Sequence, residues 1–266
     1  MSELLLVERI EHTAILTINR PERRNALGFG TDGVVFRRVV GELNEDRSLR
    51  CVILTGCDGV FSAGGDLKQL REWANDDSKT PRDFLQLYQT GIHEVVRALW
   101  SLEMPVVAAV NGAAIGLGND LACLADIRLA GESAKFGATF LKIGLIPGDG
   151  GAWLLPKIIG WERAAQLYFA GDIIDAPTAA SWGLVSRCVP DAQLLPEAMA
   201  LARKISQQPP ESLRNTKKLM RAGIDQRFED IMAMSAKFQV FAHLSQDHHE
   251  ALEAIFEKRP AIFTGH

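Results

Sequence analysis

Three glycine-rich stretches carry the residues able to do chemistry. The first runs from Phe61 to Leu67 (FSAGGDL) and the second from Asn111 to Leu121 (NGAAIGLGNDL). The third runs from Ile143 to Pro156 (IGLIPGDGGAWLLP). Small residues let backbone approach a ligand closely, and a turn that opens a helix presents unpaired N–H groups. Two such turns form a divided anion site, which suits an oxyanion held by two separate N–H groups. The second and third stretches also carry Asp120 and Asp149, carboxylates able to take and return a proton. Neither is a nucleotide phosphate loop: the glycines at 112, 116 and 118 do not form G-x-G-x-x-G, and no Gly-Lys-Ser/Thr is present. Purely structural roles stay open. Asp66 and Asp149 could each cap a following helix, and Asp120 could be an exposed or ion-paired first-turn residue.

The elements that must position these turns alternate between strand and helix. Residues 13–19 (TAILTIN), 51–55 (CVILT), 106–110 and 127–130 are short apolar runs with strand character. Residues 34–43, 84–102 and 117–124 carry helical spacing, with a helix also expected to begin near Asp66. This alternation predicts an α/β domain with mostly parallel pairing. After Pro190 the chain reads as helix over 194–208, 210–223 and 227–258, with Pro209-Pro210 as a break. The division expected is a core over 1–193 and a helical region over 194–266. Whether that region packs on its own core or on a neighbouring subunit stays open from pattern alone.

Of 266 residues, 47% are hydrophobic and 23% charged, which excludes disorder. A net charge of -4 argues against the broad positive field of a nucleic-acid binder. Cys51, Cys57, Cys123 and Cys188 have no zinc or C-x-x-C spacing and read as reduced thiols of a reducing, cytoplasmic compartment. Leu4 to Val7 is too short for a secretory signal, and no run of 18 apolar residues predicts a membrane span.

In this order and spacing, the three stretches resemble the crotonase (enoyl-CoA hydratase/isomerase) superfamily. Asn19 to Leu27, Pro105 to Gly112, Ala134 to Gly137, Trp182 to Val185 and Phe256 to Pro260 extend the resemblance over nearly the whole chain. It implies a spiral of repeated ββα units and a C-terminal helical region that builds trimers, commonly paired into hexamers. It implies an acyl-CoA substrate, with coenzyme A as part of the substrate and no separate cofactor or metal. The shared chemistry is a thioester enolate held by two backbone N–H groups, which by position fall on Ala63 and Leu117. Leu117 replaces the family's usual glycine, and an ordinary helical conformation is expected there. The resemblance places Arg24 and Ala26 near the pantetheine and phosphates, and Ser62, Ala63, Asp66 and Leu67 along the adenine. Phe256 and Lys258, from the same or a neighbouring subunit, would close the CoA site. Gly116, Phe140 and Gly148 would border the acyl group, with Phe29, Phe84 and Trp73 as further candidates for an acyl pocket.

The resemblance leaves the reaction open. Hydratases of the family use two glutamates. Asp120 falls at the first position with a carboxylate reaching roughly 1.5 Å less far, and Phe140 falls at the second. Some isomerases of the family carry an aspartate at the position of Gly148, one residue before Asp149. A 1,3-proton shift needs a single base, whereas hydration also needs a held water. Hydration and isomerisation are therefore both carried forward. His93, on the helix before Pro105, matches the place of a base in the dehalogenase branch, which makes dehalogenation or hydrolysis of an aromatic acyl-CoA another alternative; otherwise it is a half-exposed helix residue. His243, His248 and His249 are expected at the surface. A non-catalytic acyl-CoA-binding protein is the reading from a different class.

Overall fold

The computed structural model describes residues 3–28 and 30–266. Its strands are β1 (Leu5–Ile10), β2 (Thr13–Ile18), β3 (Cys51–Gly56), β4 (Val106–Val110) and β5 (Ala113–Ile115). They continue with β6 (Ile127–Gly131), β7 (Lys135–Gly137), β8 (Ile173–Asp175) and β9 (Arg187–Val189). One sheet has the order β1-β2-β3-β4-β6-β9, and β5-β7-β8 form a second. Only β1 runs antiparallel in the larger sheet; β2, β3, β4, β6 and β9 pair in parallel. Parallel strands need crossover helices, which bury both faces of the sheet. The apolar runs 51–55 and 106–110 are continuous for that reason. Residues 5–10, considered above only as a leader, form the edge hairpin with β2.

The first helices are α1 (Asp32–Glu45), α2 (Leu67–Ala74), α3 (Pro81–Leu87) and α4 (His93–Trp100). Between α3 and α4, Tyr88–Ile92 form a π-helical turn, so residues 84–102 are not one regular helix. Next come α5 (Leu117–Leu124), α6 (Gly151–Ile159), α7 (Trp161–Ala170) and α8 (Ala176–Trp182). The last four are α9 (Asp191–Ser206), α10 (Pro210–Ala222), α11 (Phe228–Leu244) and α12 (Gln246–Glu257). Alternating strand residues feed two cores. Val52, Leu54, Val106 and Ala108 face α1, α4 and α5, whereas Cys51, Ile53, Val107 and Ala109 meet Leu194, Ala198 and Ala202 of α9. All four cysteines are free, with Cys51 and Cys123 buried.

Two of the C-terminal helices pack on their own chain. α9 closes the sheet of its own chain, so the core extends beyond residue 193. α10 is also fixed to its own chain. Its Arg214, 1% exposed, pairs with Glu103 at 3.0 Å and donates to the Leu49 carbonyl at 3.2 Å. Lys217 pairs with Asp126 at 2.7 Å and donates to the Met104 carbonyl at 2.7 Å; burial pulls its pKa down to about 8. The segment 227–258 is two helices, not one. Ser245 breaks it with an extended backbone and accepts the His248 N–H at its hydroxyl. α11 buries no residue, and Phe228, Phe241, Leu244, Ile255 and Phe256 lie exposed on α11 and α12.

Replacing Arg214 by alanine removes a buried cation together with its stem. We expect a loss of about 3 kcal/mol in stability, read as a lower midpoint in equilibrium urea unfolding.

Candidate active site

The site begins where β3 and β4 end. The Asn111 side chain ties the two strand ends together, donating to the Gly56 carbonyl at 2.6 Å and accepting the Gly56 N–H at 3.3 Å. Beyond it the chains continue side by side. Ser62 N–H donates to Ala113 O at 2.9 Å, and Ile115 N–H donates to Ser62 O at 3.0 Å. A Cβ on Gly118 would collide with the Ser62 carbonyl, and one on Gly64 with that of Ile115. The spacing of the glycines is thus a consequence of two backbones in contact.

Following the N–H groups along each turn identifies the free donors. On the first, Ser62 N–H is bonded as above, Ala63 N–H donates to Arg24 O at 3.0 Å, and Gly64 N–H donates to Ser62 Oγ at 3.2 Å. Gly65 N–H has no hydrogen-bond partner among the described residues, and Gly65 lines the pocket described below. The expectation that Ala63 supplies a donor is therefore corrected: that N–H is occupied, and the free one lies two residues on. On the second turn Gly116 N–H donates to Gly137 O at 2.8 Å, leaving Leu117 N–H as the first free group of α5. The backbone strain falls on Gly116 (φ 55°, ψ -120°), and Leu117 keeps a helical conformation, as expected for a leucine. The N-terminal end of α5 adds its positive dipole at this point.

Gly65 and Leu117 line one pocket of about 310 Å³. Its remaining wall is largely apolar and includes Leu70, Ile92, Phe140, Leu145 and Ile173, with Ala63, Leu67 and Gly116 at the turns. Tyr88 and Lys142 also line it, and among the described residues Asp149 supplies the single lining carboxylate. Neither Tyr88 nor Gly65 had been singled out by sequence. Tyr88 lies in a stretch without motif, whereas the adjacent free N–H of Gly65 is legible only from the bonds around it. Phe140 is the aromatic candidate that lines the pocket; Phe84 and Trp73 do not, and Phe29 lies outside the described residues.

The two aspartates have different fates. Asp149 is 4% exposed and faces the pocket; Gly150, not Asp149, occupies the N-cap of α6. Burial pushes its pKa up to about 7. Asp120 is fully buried and does not line the pocket. It lies against Gly151, and a Cβ on Gly151 would collide with its carboxyl. Burial first, then the charge of Asp149, raise the Asp120 pKa well above the ordinary 3.8.

The remaining sequence candidates lie outside the lining of this pocket. Ser62 is fully buried, and its hydroxyl donates to Asn25 O at 2.8 Å. Asp66 caps α2 and pairs with Arg23. Ala26 is buried, and its carbonyl accepts Arg20 at 2.8 Å. Arg24 is exposed, in a left-handed conformation. Gly148 accepts the Nε2–H of His93 at 2.9 Å, so His93 anchors the Asp149 turn. Phe256 and Lys258 lie exposed at the end of α12, and neither lines the pocket within this chain.

Parallel strands feeding two donor-bearing turns, with a carboxylate opposite them, define a protein of the crotonase fold. The enoyl-CoA hydratase/isomerase family model matches residues 8–266, and the chain belongs to that family. It is 34% identical over 266 residues to a 1,2-epoxyphenylacetyl-CoA isomerase of Escherichia coli, covering 100% of both chains. It is 34% identical over 262 residues to a crotonyl-CoA hydratase of Syntrophomonas wolfei, covering 98% of each. Among solved structures, an enoyl-CoA hydratase from Bacillus anthracis superposes with a TM-score of 0.91 at 30% identity, over 99% of this chain and 100% of that one.

The buried Asp120 generates a stability prediction. A folded-state pKa above 3.8 contributes stability that is fully present below pH 3.8 and is lost as pH rises through the folded value. Asparagine keeps the shape without the ionisation. Asp120→Asn should therefore raise Tm over the parent at pH 8, by a margin that shrinks toward pH 4, as thermal scans across that range would show.

Proposed function

We propose that this protein is an acyl-CoA isomerase that moves a carbon–carbon double bond by a 1,3-proton shift. One observation carries this reading: among the described residues Asp149 is the single carboxylate lining the pocket, while Phe140 stands on the wall and Asp120 lies behind it. The thioester oxygen would accept the N–H groups of Gly65 and Leu117. Each such donor typically contributes on the order of 3 kcal/mol to the transition state. Asp149, as carboxylate, removes a proton from C2 of a 3-enoyl thioester, and electron density moves onto the oxygen as a dienolate. The same carboxyl then returns the proton to C4, leaving the double bond between C2 and C3. No electrons are gained or lost, so the reaction needs no redox partner.

Hydration would require a second group to hold and polarise water, and the phenyl ring of Phe140 has none to offer. Its ring instead packs 6.5 Å from that of Tyr168. The two relatives described above are named for an isomerase and a hydratase, so the family alone does not choose between these reactions. The CoA portion is assigned to the mouth of the pocket. There Arg24, Leu67 and the Asp66 turn would meet the nucleotide, with Phe256 and Lys258 reaching it from a neighbouring subunit. The exposed apolar side chains of α11 and α12 support a trimer or a dimer of trimers. The place of action proposed is the cytoplasm, with no nucleic-acid or membrane partner.

Incubation with a 3-enoyl-CoA in heavy water tests this. The expected product is the 2-enoyl isomer; gain of one water would instead make the protein a hydratase. CoA binding without exchange or turnover of any thioester would favour a non-catalytic role. Asp149→Asn should lower kcat by roughly 10²–10⁴-fold while leaving CoA binding intact by calorimetry. Because the base must be ionised, kcat/KM should fall as pH drops below about 7, the value to which burial raises Asp149.

A further inference from the structure

Behind the pocket wall, α5 and α7 carry a buried polar cluster that the proton shift does not use. Asn119 and Asp120 are 0% exposed and Tyr168 is 7% exposed. Asn119 Oδ1, Asp120 Oδ2 and Tyr168 Oη each lack a hydrogen-bond partner among the described residues. Buried polar atoms are rarely left so, and three in one neighbourhood point to a shared partner.

The other contacts of the cluster show which way it faces. Asn119 Nδ2 approaches Asp120 Oδ1 at 3.5 Å, and the Asp120 carboxyl lies directly against Gly151, where a Cβ would collide with it. Gly151 is two residues after Asp149, so Asp120 holds the turn that presents the base. The Tyr168 ring packs beside Phe140 on the opposite side of the pocket wall. Burial first, then proximity to Asp120, keep its hydroxyl protonated.

The donor and acceptor types are complementary around one small molecule. The Asn119 oxygen can only accept, while the Tyr168 hydroxyl and the acid form of Asp120 can donate. A single water accepting from those two and donating to Asn119 satisfies all three atoms, with the three hydrogen bonds typical of buried water. We infer that Asn119, Asp120 and Tyr168 form an internal water site whose role is to hold the Asp120 carboxyl against Gly151 and so position Asp149. Tyr168 is thereby a positioning residue, acting through Asp120. This role in catalysis rests on the assignment of Asp149 as base; the water site itself does not.

A high-resolution crystal structure of the parent and of Tyr168→Phe, with thermal melts and steady-state kinetics on each, tests the inference. We expect one ordered water within hydrogen-bond reach of the three atoms in the parent. In Tyr168→Phe that water should be lost, Tm should fall, and kcat should drop about fivefold at unchanged KM. Asn119→Ala should give the same pattern and serves if Tyr168→Phe does not fold. A Tyr168→Phe protein with higher Tm and unchanged kcat would mean that a strained hydroxyl had merely been removed, and overturns the inference. Lower Tm with unchanged kcat overturns the positioning role. An ordered water with the expected Tm loss, but no turnover of any enoyl thioester by the parent, retains the water site and discards the isomerase reading.

Discussion

The short backbone pairing between Ser62 and the 113–115 strand governs the rest of the site. It consists of two hydrogen bonds, Ser62 N–H to Ala113 O and Ile115 N–H to Ser62 O. Individually such bonds contribute about 1 kcal/mol. Their geometric consequence is larger. They bring together the turns following β3 and β4, and no side chain fits at Gly64 or Gly118 while they hold. The same contact leaves Gly65 N–H and Leu117 N–H unpaired on one pocket wall. Ser62 reinforces it from below, its hydroxyl donating to Asn25 O and accepting Gly64 N–H. Asn25 in turn joins this layer to the β3 turn through Cys57 O and Val60 O.

The electrostatics follow from depth. Two aspartates on neighbouring turns differ in whether they reach the pocket, and that difference separates their ionisation. Asp120 sits beneath Gly151 with no ion pair among the described residues, and burial raises its pKa well above the ordinary range. Asp149 is raised only to about 7, which leaves it able to cycle between base and acid near neutral pH. A base of ordinary carboxylate pKa would remove an α-proton less readily.

Much of this was legible in the amino-acid pattern. Apolar runs such as 106–110 announced buried parallel strands, and Leu117–Leu124 became α5 with the boundaries expected. The glycine spacing announced two turns whose backbones approach closely, as Gly64 and Gly118 do. The identity of the donor on the first turn was not legible, because it depends on Arg24 O occupying Ala63 N–H from 39 positions earlier in the chain. The withdrawal of Asp120 was equally hidden, since it depends on how closely α6 descends onto α5 at Gly151. Ser245 escaped notice because its break preserves the polar and apolar alternation on either side. The edge strand β1 escaped because Leu5–Ile10 mixes charge with apolar residues, as an exposed strand does.

The π-helical turn at Tyr88–Ile92 has a consequence for how this chain tolerates changes in length. A π turn is the footprint of one residue more than a regular helix accommodates. It is placed directly before His93, which grips the Gly148 carbonyl, and it includes both Tyr88 and Ile92 of the pocket wall. Deleting one residue here would let the helix close into an unbroken α-spiral and turn everything upstream of His93 by about 100°. Tyr88 would swing away from the pocket while His93 and the fold stayed in place. The lining of the pocket is thus adjustable by indel as well as by substitution, independently of the turns at Gly65 and Leu117.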